Sequence, residues 1–257
     1  MIHPTALVHP DAKIGPGVAI GPYSIISERV EIGEGSAIGP HVVLKGPTRI
    51  GRKNLIFQFC SIGDDPQDKK FKGEPESFLE IGDGNTIREY CSINRGTLGG
   101  GGVTRIGNDN WIMAYVHIAH DCIIGNNNIF ANNTTLAGHV RIHDHVTLGG
   151  FTGVHQYCTI GSYSFTAISS VVVKDVPPYL IVSGNTAKPK GLNREGLRRH
   201  GFTPELVENL RKAYKTIFRN GLIINESLEQ LRELSARCPE VAAFCSFIRE
   251  SSRGIVR

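Results

Sequence analysis

Histidine is concentrated in one stretch of this sequence. Six of its ten histidines are His117, His120, His139, His143, His145 and His155. A neutral imidazole can accept a proton from a hydroxyl group near pH 7, so one of them could act as a general base. Three imidazoles could instead hold Zn²⁺ and activate a water molecule. A polar surface or a subunit interface is a third interpretation, and histidine spacing alone leaves all three open.

An aliphatic residue recurs at every sixth position through most of the chain. The series runs from Ile2 to Ile62, resumes briefly at Ile81 and continues from Ile106 to Val172. A period of six matches neither an α-helix nor a simple alternating strand. Three six-residue units can form one triangular coil, and coils stack about 4.8 Å apart through parallel strand pairing. The repeat therefore predicts a mainly β fold, a parallel β-helix with hexapeptide repeats.

The repeat also places the histidines relative to one another. The units that open at Ile118, Leu136 and Val154 are 18 residues apart, so they lie on the same face of successive coils. His120 and His139 should then be roughly 5 Å apart, one coil spacing, with both side chains pointing outward. An exposed column of imidazoles is difficult to explain by packing alone, which favours a functional site.

Most cysteines follow the same repeat. Cys60, Cys91, Cys122 and Cys158 all occupy the fifth, inward position of their units, so we expect them to be small fillers of the core. This pattern predicts no disulfide framework and a reducing, cytoplasmic location. The sequence shows no signal peptide at its start and no apolar run of the roughly 20 residues that a membrane-spanning helix needs.

Two breaks in the repeat predict inserted loops near residues 64–79 and 98–105. Long loops on a rigid scaffold often carry function, although they can also be mere decoration. The second loop is rich in glycine, but it lacks the Lys-Ser/Thr ending of a phosphate-binding loop.

The repeat stops near Val172, and a helical pattern follows from about residue 191. Thr203-Pro204 predicts the start of one helix, Ser227 with Gln230 predicts another, and a last helix is expected from about Pro239. We therefore divide the chain into a β-helix over residues 1–190 and a helical domain over 191–257. Residues 188–257 hold 14 Lys and Arg against 8 Asp and Glu, which favours an acidic partner or a phosphate ligand over nucleic acid.

The segment His117-Ile-Ala-His-Asp-Cys122 carries a resemblance to a known family. Together with Gly138-His139, His155-Gln156 and Glu195-Gly-Leu-Arg-Arg199, it resembles the UDP-N-acetylglucosamine O-acyltransferases over nearly the whole chain. The resemblance implies a left-handed β-helix and a homotrimer with active sites between subunits. It implies transfer of a 3-hydroxyacyl chain from acyl carrier protein to the 3-hydroxyl of UDP-N-acetylglucosamine, the first step of lipid A biosynthesis, without a cofactor or metal.

The resemblance also implies roles for individual residues. His120 matches the general base, Asp121 the residue that orients it, and Gly138 the position whose N–H stabilises the thioester oxyanion. The positions that match substrate contacts are Gln67, Asp68, Lys70, His117, His139, His155, Gln156, Asn193, Glu195 and Arg199.

Three positions depart from the common family pattern. His200 replaces a second arginine beside Arg199, and Asn94 replaces a histidine. Ile168 stands at the position that acts as an acyl-chain ruler, where members using long chains have glycine. The repeat spaces this position about 13 Å along the axis from His120, which fits a chain of about ten carbons.

Three alternatives remain open from the sequence. A γ-type carbonic anhydrase shares the trimeric β-helix but needs three zinc-binding histidines. A non-catalytic trimeric scaffold would use the same fold without chemistry. The same acyl transfer to a 3-amino UDP-sugar would give an amide in place of an ester.

Overall fold

The six-residue repeat folds into stacked triangular coils. In the computed structural model, which describes residues 1–257, the strands pair in parallel with the strand one coil further on, except the last pair, Leu180–Ser183 and Lys188–Leu192, which is antiparallel. Ile25–Ile26, for example, pairs in register with Val43–Leu44. The prediction of a left-handed parallel β-helix followed by helices is confirmed.

The solenoid has three faces, each a β-sheet. The first face contains Leu7–Val8, Ile25–Ile26, Val43–Leu44, Ser61–Asp64, Ser92–Asn94, His117–Ile118, Thr135–Leu136, Gly153–Val154 and Val171–Val172. The second contains Lys13–Ile14, Val30–Ile32, Thr48–Ile50, Phe78–Ile81, Val103–Ile106, Ile123–Ile124, Arg141–Ile142 and Thr159–Ile160. The third contains Ala19–Ile20, Ala37–Ile38, Leu55–Ile56, Thr86–Ile87, Trp111–Ile112, Ile129–Phe130, Thr147–Leu148, Phe165–Thr166, Leu180–Ser183 and Lys188–Leu192. The chain visits the faces in this order, and we name the edges between them corner 1–2, corner 2–3 and corner 3–1.

The core is an aliphatic column along the axis. Ile118 and Leu136, which open their repeat units, are fully buried, and so are Cys122 and Cys158 at the fifth position. Burying one such Ile or Leu side chain stabilises the fold by about 1.5–3 kcal/mol. The predicted inward positions are therefore confirmed.

A buried asparagine ladder supports the coils at one turn. The Oδ1 of Asn85 accepts from the backbone N–H of Asn110 at 2.9 Å, and Asn110 in turn accepts from Asn128 at 2.9 Å. These side chains satisfy backbone groups that the turn leaves without a strand partner, which buried N–H groups require.

The first inserted loop is shorter than the broken repeat predicted, and the second begins and ends three residues earlier. Phe78–Ile81 pairs in full with Val103–Ile106, because parallel pairing continues wherever two neighbouring strands can exchange hydrogen bonds. The loops are 65–77 and 95–102, so the prediction of loop structure at 103–105 was wrong. The glycine-rich loop also contains one short 3₁₀ helix, Leu98–Gly100.

Five helices follow the solenoid: α1 Arg194–Arg199, α2 Pro204–Phe218, α3 Ile224–Gln230, α4 Arg232–Arg237 and α5 Pro239–Glu250. Thr203 caps α2 through a hydrogen bond from the N–H of Leu206 at 3.2 Å, as predicted. The predicted cap at Ser227 is wrong, because α3 begins three residues earlier and Ser227 is buried inside it, donating to the carbonyl of Thr216. None of these helices is both long enough and apolar enough to span a bilayer.

Candidate active site at one corner of the solenoid

The central histidines lie on corner 1–2, in two turns stacked one above the other. Asp121 and His139 both adopt the left-handed conformation there, with φ of 60° and 62°. Polar residues such as Asp and His enter this region more readily than branched residues do. Because the turns repeat, the ring centroids of His120 and His139 are 5.2 Å apart, which confirms the predicted separation.

His120 and Asp121 form a hydrogen-bonded pair. The Nδ1 of His120 lies 2.7 Å from Oδ2 of Asp121, whose side chain is fully buried, while the imidazole remains 17% exposed. Since Nδ1 is occupied by the carboxylate, Nε2 is the nitrogen that can exchange a proton with a bound molecule.

The Asp121 carboxylate is held from the glycine-rich loop. The backbone N–H of Thr97 donates to Oδ1 at 2.8 Å, and the Thr97 hydroxyl donates to Oδ2 at 2.7 Å. The N–H of Asp121 itself donates to the Thr104 hydroxyl at 2.8 Å. Together with His120, the two Thr97 groups give the carboxylate three donors, so it has little freedom to rotate.

These contacts set the charge of the pair. The hydrogen bond that His120 donates to Asp121 raises the pKa of His120 above its ordinary value of 6.5, against burial, and the nearby Asp68 adds to the rise. Burial alone would raise the pKa of Asp121, but the bonds from His120 and Thr97 outweigh it and lower that pKa. The arrangement is thus an ionised carboxylate beside a histidine of increased basicity.

The pKa values of the two neighbouring histidines, His117 and His139, are shifted in the opposite direction to that of His120. Burial lowers the pKa of His139 and of His117, so both rings favour the neutral form. His139 stacks on Tyr157 with centroids 4.4 Å apart, and the Nδ1 of His117 lies 2.7 Å from the Ser92 hydroxyl. Neutral rings fixed in this way can bind a polar ligand without competing for the proton of His120.

Gly138 lies directly against the general-base candidate. A Cβ at this position would come within 2.7 Å of the His120 ring, so only glycine allows the backbone to approach it this closely. The N–H of Gly138 donates to no other group of the chain and is free to bind an anion.

The first insertion is fastened over the same corner. Arg95 is buried and binds the Asp65 carboxylate at 2.8 Å together with the carbonyls of Glu74 and Ser77. Asn94 donates to the carbonyl of Asp65 at 2.9 Å. These bonds hold the exposed segment 67–70 beside the histidines, close enough for the charge of Asp68 to act on His120 and His139.

Comparison with known proteins identifies the family. Residues 175–256 match the second domain of UDP-N-acetylglucosamine O-acyltransferases, and residues 11–46 and 104–138 match the bacterial transferase hexapeptide repeat. The chain is 54% identical to the acyl-[acyl-carrier-protein]–UDP-N-acetylglucosamine O-acyltransferase of Thiobacillus denitrificans, covering 100% of this chain and 99% of that one. The chain belongs to the UDP-N-acetylglucosamine O-acyltransferase family.

Solved structures support the same family. The UDP-N-acetylglucosamine O-acyltransferase of Moraxella catarrhalis superimposes with a TM-score of 0.97 at 46% identity, covering 100% of this chain and 99% of that one. The UDP-N-acetylglucosamine acyltransferase of Arabidopsis gives a TM-score of 0.87 at 42% identity, with complete coverage of both chains. Membership of this acyltransferase family decides against the carbonic anhydrase interpretation of the histidines.

Other residues that match acyltransferase substrate contacts lie elsewhere in the chain. Asn193, Glu195 and Arg199 belong to α1 or its cap, which packs on corner 2–3 through a bond from Asn193 to the carbonyl of Tyr163. Glu195 already binds Arg199 at 2.9 Å. A single chain therefore does not bring these three residues to His120.

His200, one of the three departures from the family pattern, packs α1 onto the solenoid. Its ring contacts His145 and Tyr163, with centroids 4.8 Å and 5.2 Å away. Ile168 is 70% exposed on corner 3–1, a different corner from His120. His155 and Gln156 are exposed on corner 1–2, one coil beyond His139.

The same corner contains a set of groups that could hold a metal ion. One ligand atom from each of His120, Asp121 and His139 lies within 4.8 Å of the others. Two imidazoles and a carboxylate suit Zn²⁺ or Fe²⁺. Because Asp121 already accepts hydrogen bonds from His120 and Thr97, the chain's own donors satisfy this carboxylate without a cation.

Sequence reasoning missed Thr97, Thr104 and Arg95. Arg95 and Thr97 lie in the glycine-rich loop and Thr104 lies just after it, in a segment noticed only as a break in the repeat. A signal was present: the unit that opens at Ile93 is one coil before the unit at Ile118, so residues shortly after Ile93 must lie beside His120 and Asp121.

Proposed function

We propose that the protein transfers a 3-hydroxyacyl chain from acyl carrier protein to the 3-hydroxyl of UDP-N-acetylglucosamine, with His120 as the general base. The observation that carries this proposal is the 2.7 Å contact between Nδ1 of His120 and the buried Asp121 carboxylate. It leaves Nε2 unpaired, on an exposed edge of the ring, beside the unpaired N–H of Gly138. The catalytic residues are His120, Asp121 and Gly138.

The reaction begins with proton removal. A sugar hydroxyl is a weak nucleophile until a base takes its proton, and Nε2 of His120 accepts that proton as the oxygen attacks the thioester carbonyl. Asp121 stabilises the resulting imidazolium through the bond to Nδ1. When the tetrahedral intermediate collapses, the C–S bond breaks and His120 returns the proton to the departing thiolate.

The intermediate carries a negative charge on the former carbonyl oxygen. The free N–H of Gly138 donates to this oxyanion, since glycine permits close approach of both His120 and substrate. One such donor is typically worth about 2.7–4 kcal/mol of transition-state stabilisation.

Substrate contacts complete the corner. We assign the sugar to the neutral rings of His117 and His139 and to the segment with Gln67, Asp68 and Lys70, which the Arg95 bonds hold in place. His155 and Gln156 extend the same corner by one coil toward the acyl chain.

The remaining contacts require a neighbouring subunit. We propose a homotrimer in which Asn193, Glu195 and Arg199 of one chain face His120 of the next and bind the uridine diphosphate. Exposed apolar side chains on the third face support this, since Leu55, Trp111 and Ile129 are each at least 40% exposed. Contiguous exposed apolar patches of this kind mark interfaces.

The acyl chain and its carrier have their own surfaces. Ile168, from a neighbouring chain, closes the acyl groove and limits the chain to about ten carbons. A groove of about 320 Å³ beside α2 is lined by the basic residues Lys190, Arg194, Arg211, Lys215 and Arg219. A basic surface suits an acidic carrier protein, whose acyl thioester also implies a cytoplasmic reaction.

A direct transfer assay tests the proposal. The purified chain is incubated with UDP-N-acetylglucosamine and with 3-hydroxyacyl carrier proteins whose chains have about ten, twelve and fourteen carbons. We expect an ester product, formed fastest with the shortest chain. A lack of product with every donor would contradict the proposed reaction, and a strong preference for a 3-amino UDP-sugar would replace ester formation by amide formation.

A further inference from the structure

The glycine-rich loop contacts the catalytic carboxylate of Asp121. Thr97, which follows Gly96 in this loop, makes both contacts. Its N–H donates to Oδ1 of Asp121 at 2.8 Å, and its hydroxyl donates to Oδ2 at 2.7 Å. The same hydroxyl oxygen accepts from the N–H of Gly100 at 3.1 Å, which fixes the direction in which its own proton points. Oδ2 is also the atom that faces Nδ1 of His120.

One glycine of this loop, Gly100, is explained by the same contact. A Cβ on Gly100 would come within 2.2 Å of Asp121, so only glycine lets the 3₁₀ helix Leu98–Gly100 close over the carboxylate. A Cβ on its neighbour Gly99 would meet nothing within 4 Å. The loop therefore crowds Asp121 at Gly100 only.

The loop is also anchored at its far side. The N–H of Leu98 donates to the Glu74 carboxylate at 2.6 Å, and the carbonyl of Glu74 accepts from buried Arg95 at 2.9 Å. The first insertion, which carries the sugar-contact segment 67–70, and the loop that holds Asp121 are thus one bonded unit.

We propose that Thr97 is a positioning residue for acyl transfer, which holds the Asp121 carboxylate and, through it, the ring of His120. The inference rests on the proposed function, because it assigns a role to His120 as base. A carboxylate that accepts two bonds from Thr97 is a weaker acceptor for the imidazolium than one that binds His120 alone. Thr97 therefore lowers the basicity of His120 and also fixes the orientation of its ring.

The decisive variant is Thr97→Val, which keeps the shape of the side chain and removes the hydroxyl. We expect the midpoint of the acid limb of kcat/KM to rise by at least about half a pH unit, since Asp121 then stabilises protonated His120 more strongly. Thr97→Ser, which restores the hydroxyl, should return the midpoint to that of the wild type. Thr159→Val, a half-buried strand threonine on the second face, is the control for loss of a hydroxyl elsewhere.

A titration of His120 by NMR gives the same comparison without activity. Its Cε1–H signal, assigned with His120→Gln, should titrate at higher pH in Thr97→Val than in the wild type. If the wild-type protein transfers no acyl chain but this midpoint still moves, the proposed function fails and the role of Thr97 in the pair stands. An unchanged midpoint in both experiments would overturn the inference, even if kcat falls, because a purely structural threonine lowers activity at every pH.

A matched pair of glycine variants protects the test against misfolding of Thr97→Val. Gly100→Ala should lower kcat/KM by at least about tenfold, because the new methyl group displaces the carboxylate. Gly99→Ala, one residue away in open space, should stay within about twofold of the wild type. Equal effects of the two variants would contradict the proposed contact.

Discussion

The ring of His120 lies against the backbone of Gly138, where an added Cβ would come within 2.7 Å of Cε1 and 2.8 Å of Nε2. Gly138→Ala should therefore move the base away from its proton donor. We expect kcat to fall by at least about tenfold, since displacements of about 1 Å at a reacting centre can cost a hundredfold. Steady-state kinetics of acyl transfer would measure the loss.

Gly150→Ala is the matched control for this substitution. Gly150 holds the same position of its repeat unit as Gly138, but its Cβ would meet only the carbonyl oxygen of Asn132, at 3.4 Å. Activity of Gly150→Ala should remain close to that of the wild type. Similar losses in both variants, with lowered melting temperatures, would point to damage of the solenoid.

Activity should depend on pH through His120. A general base works only when neutral, so kcat/KM should fall as the pH drops through a pKa that lies above 6.5. The hydrogen bond that His120 donates to Asp121 is the largest cause of this raised pKa, and burial opposes it. Asp121→Asn should therefore lower the plateau value of kcat/KM and shift the midpoint of its acid limb to lower pH.

A pH series of kcat/KM for wild type and Asp121→Asn provides the measurement. Asp109→Asn, on corner 2–3 and also at positive φ, serves as the control and should leave the profile unchanged. If Asp121→Asn keeps the wild-type midpoint, the limb does not report His120 and the assignment of the base is wrong.

The proposed sharing of active sites between subunits predicts complementation between inactive chains. His120→Ala and Arg199→Ala should each be strongly impaired, because one lacks the base and the other lacks a cation for the diphosphate. When the two variants are unfolded and refolded together, about a quarter of the sites in random trimers combine an intact His120 with an intact Arg199 of the neighbour. Activity should rise to roughly that fraction of wild type, assayed below saturation with UDP-N-acetylglucosamine. Mixtures that stay as inactive as the separate variants would mean that both residues act within one chain.

Chain length should respond to Ile168. Its branched side chain is 70% exposed on corner 3–1 of a single chain, where a neighbouring subunit can present it to the acyl groove. Ile168→Gly removes this obstruction, so preference should shift from about ten toward about fourteen carbons. The ratio of kcat/KM between the two donors measures the shift. An unchanged ratio would mean that Ile168 does not line the acyl groove.

The fold was largely predictable, because the same two positions of every repeat unit point into the core. Ile118 and Cys122 could be placed inside from the repeat alone, and both are fully buried. The ends of the loops were less predictable. Strand pairing at Phe78–Ile81 and Val103–Ile106 depends on what lies one coil away, which local spacing does not reveal.

The candidate site was predictable only where the repeat is unbroken. The 5.2 Å separation of His120 and His139 follows from the coil spacing, and so does their common corner. Thr97 was missed because insertions interrupt the register that would have placed it beside Asp121. The position of Arg199 was equally inaccessible, because α1 is joined to the solenoid by tertiary contacts of Asn193 and His200 rather than by the repeat.

The most direct test of His120 as the general base is the rate of acyl transfer by His120→Ala under conditions that saturate the wild-type protein. Loss of a general base typically costs about 10²–10⁴ in rate. We therefore predict a fall in kcat of at least about a hundredfold, with a melting temperature and trimer content like those of the wild type. Transfer by His120→Ala within about tenfold of the wild-type rate would contradict the assignment.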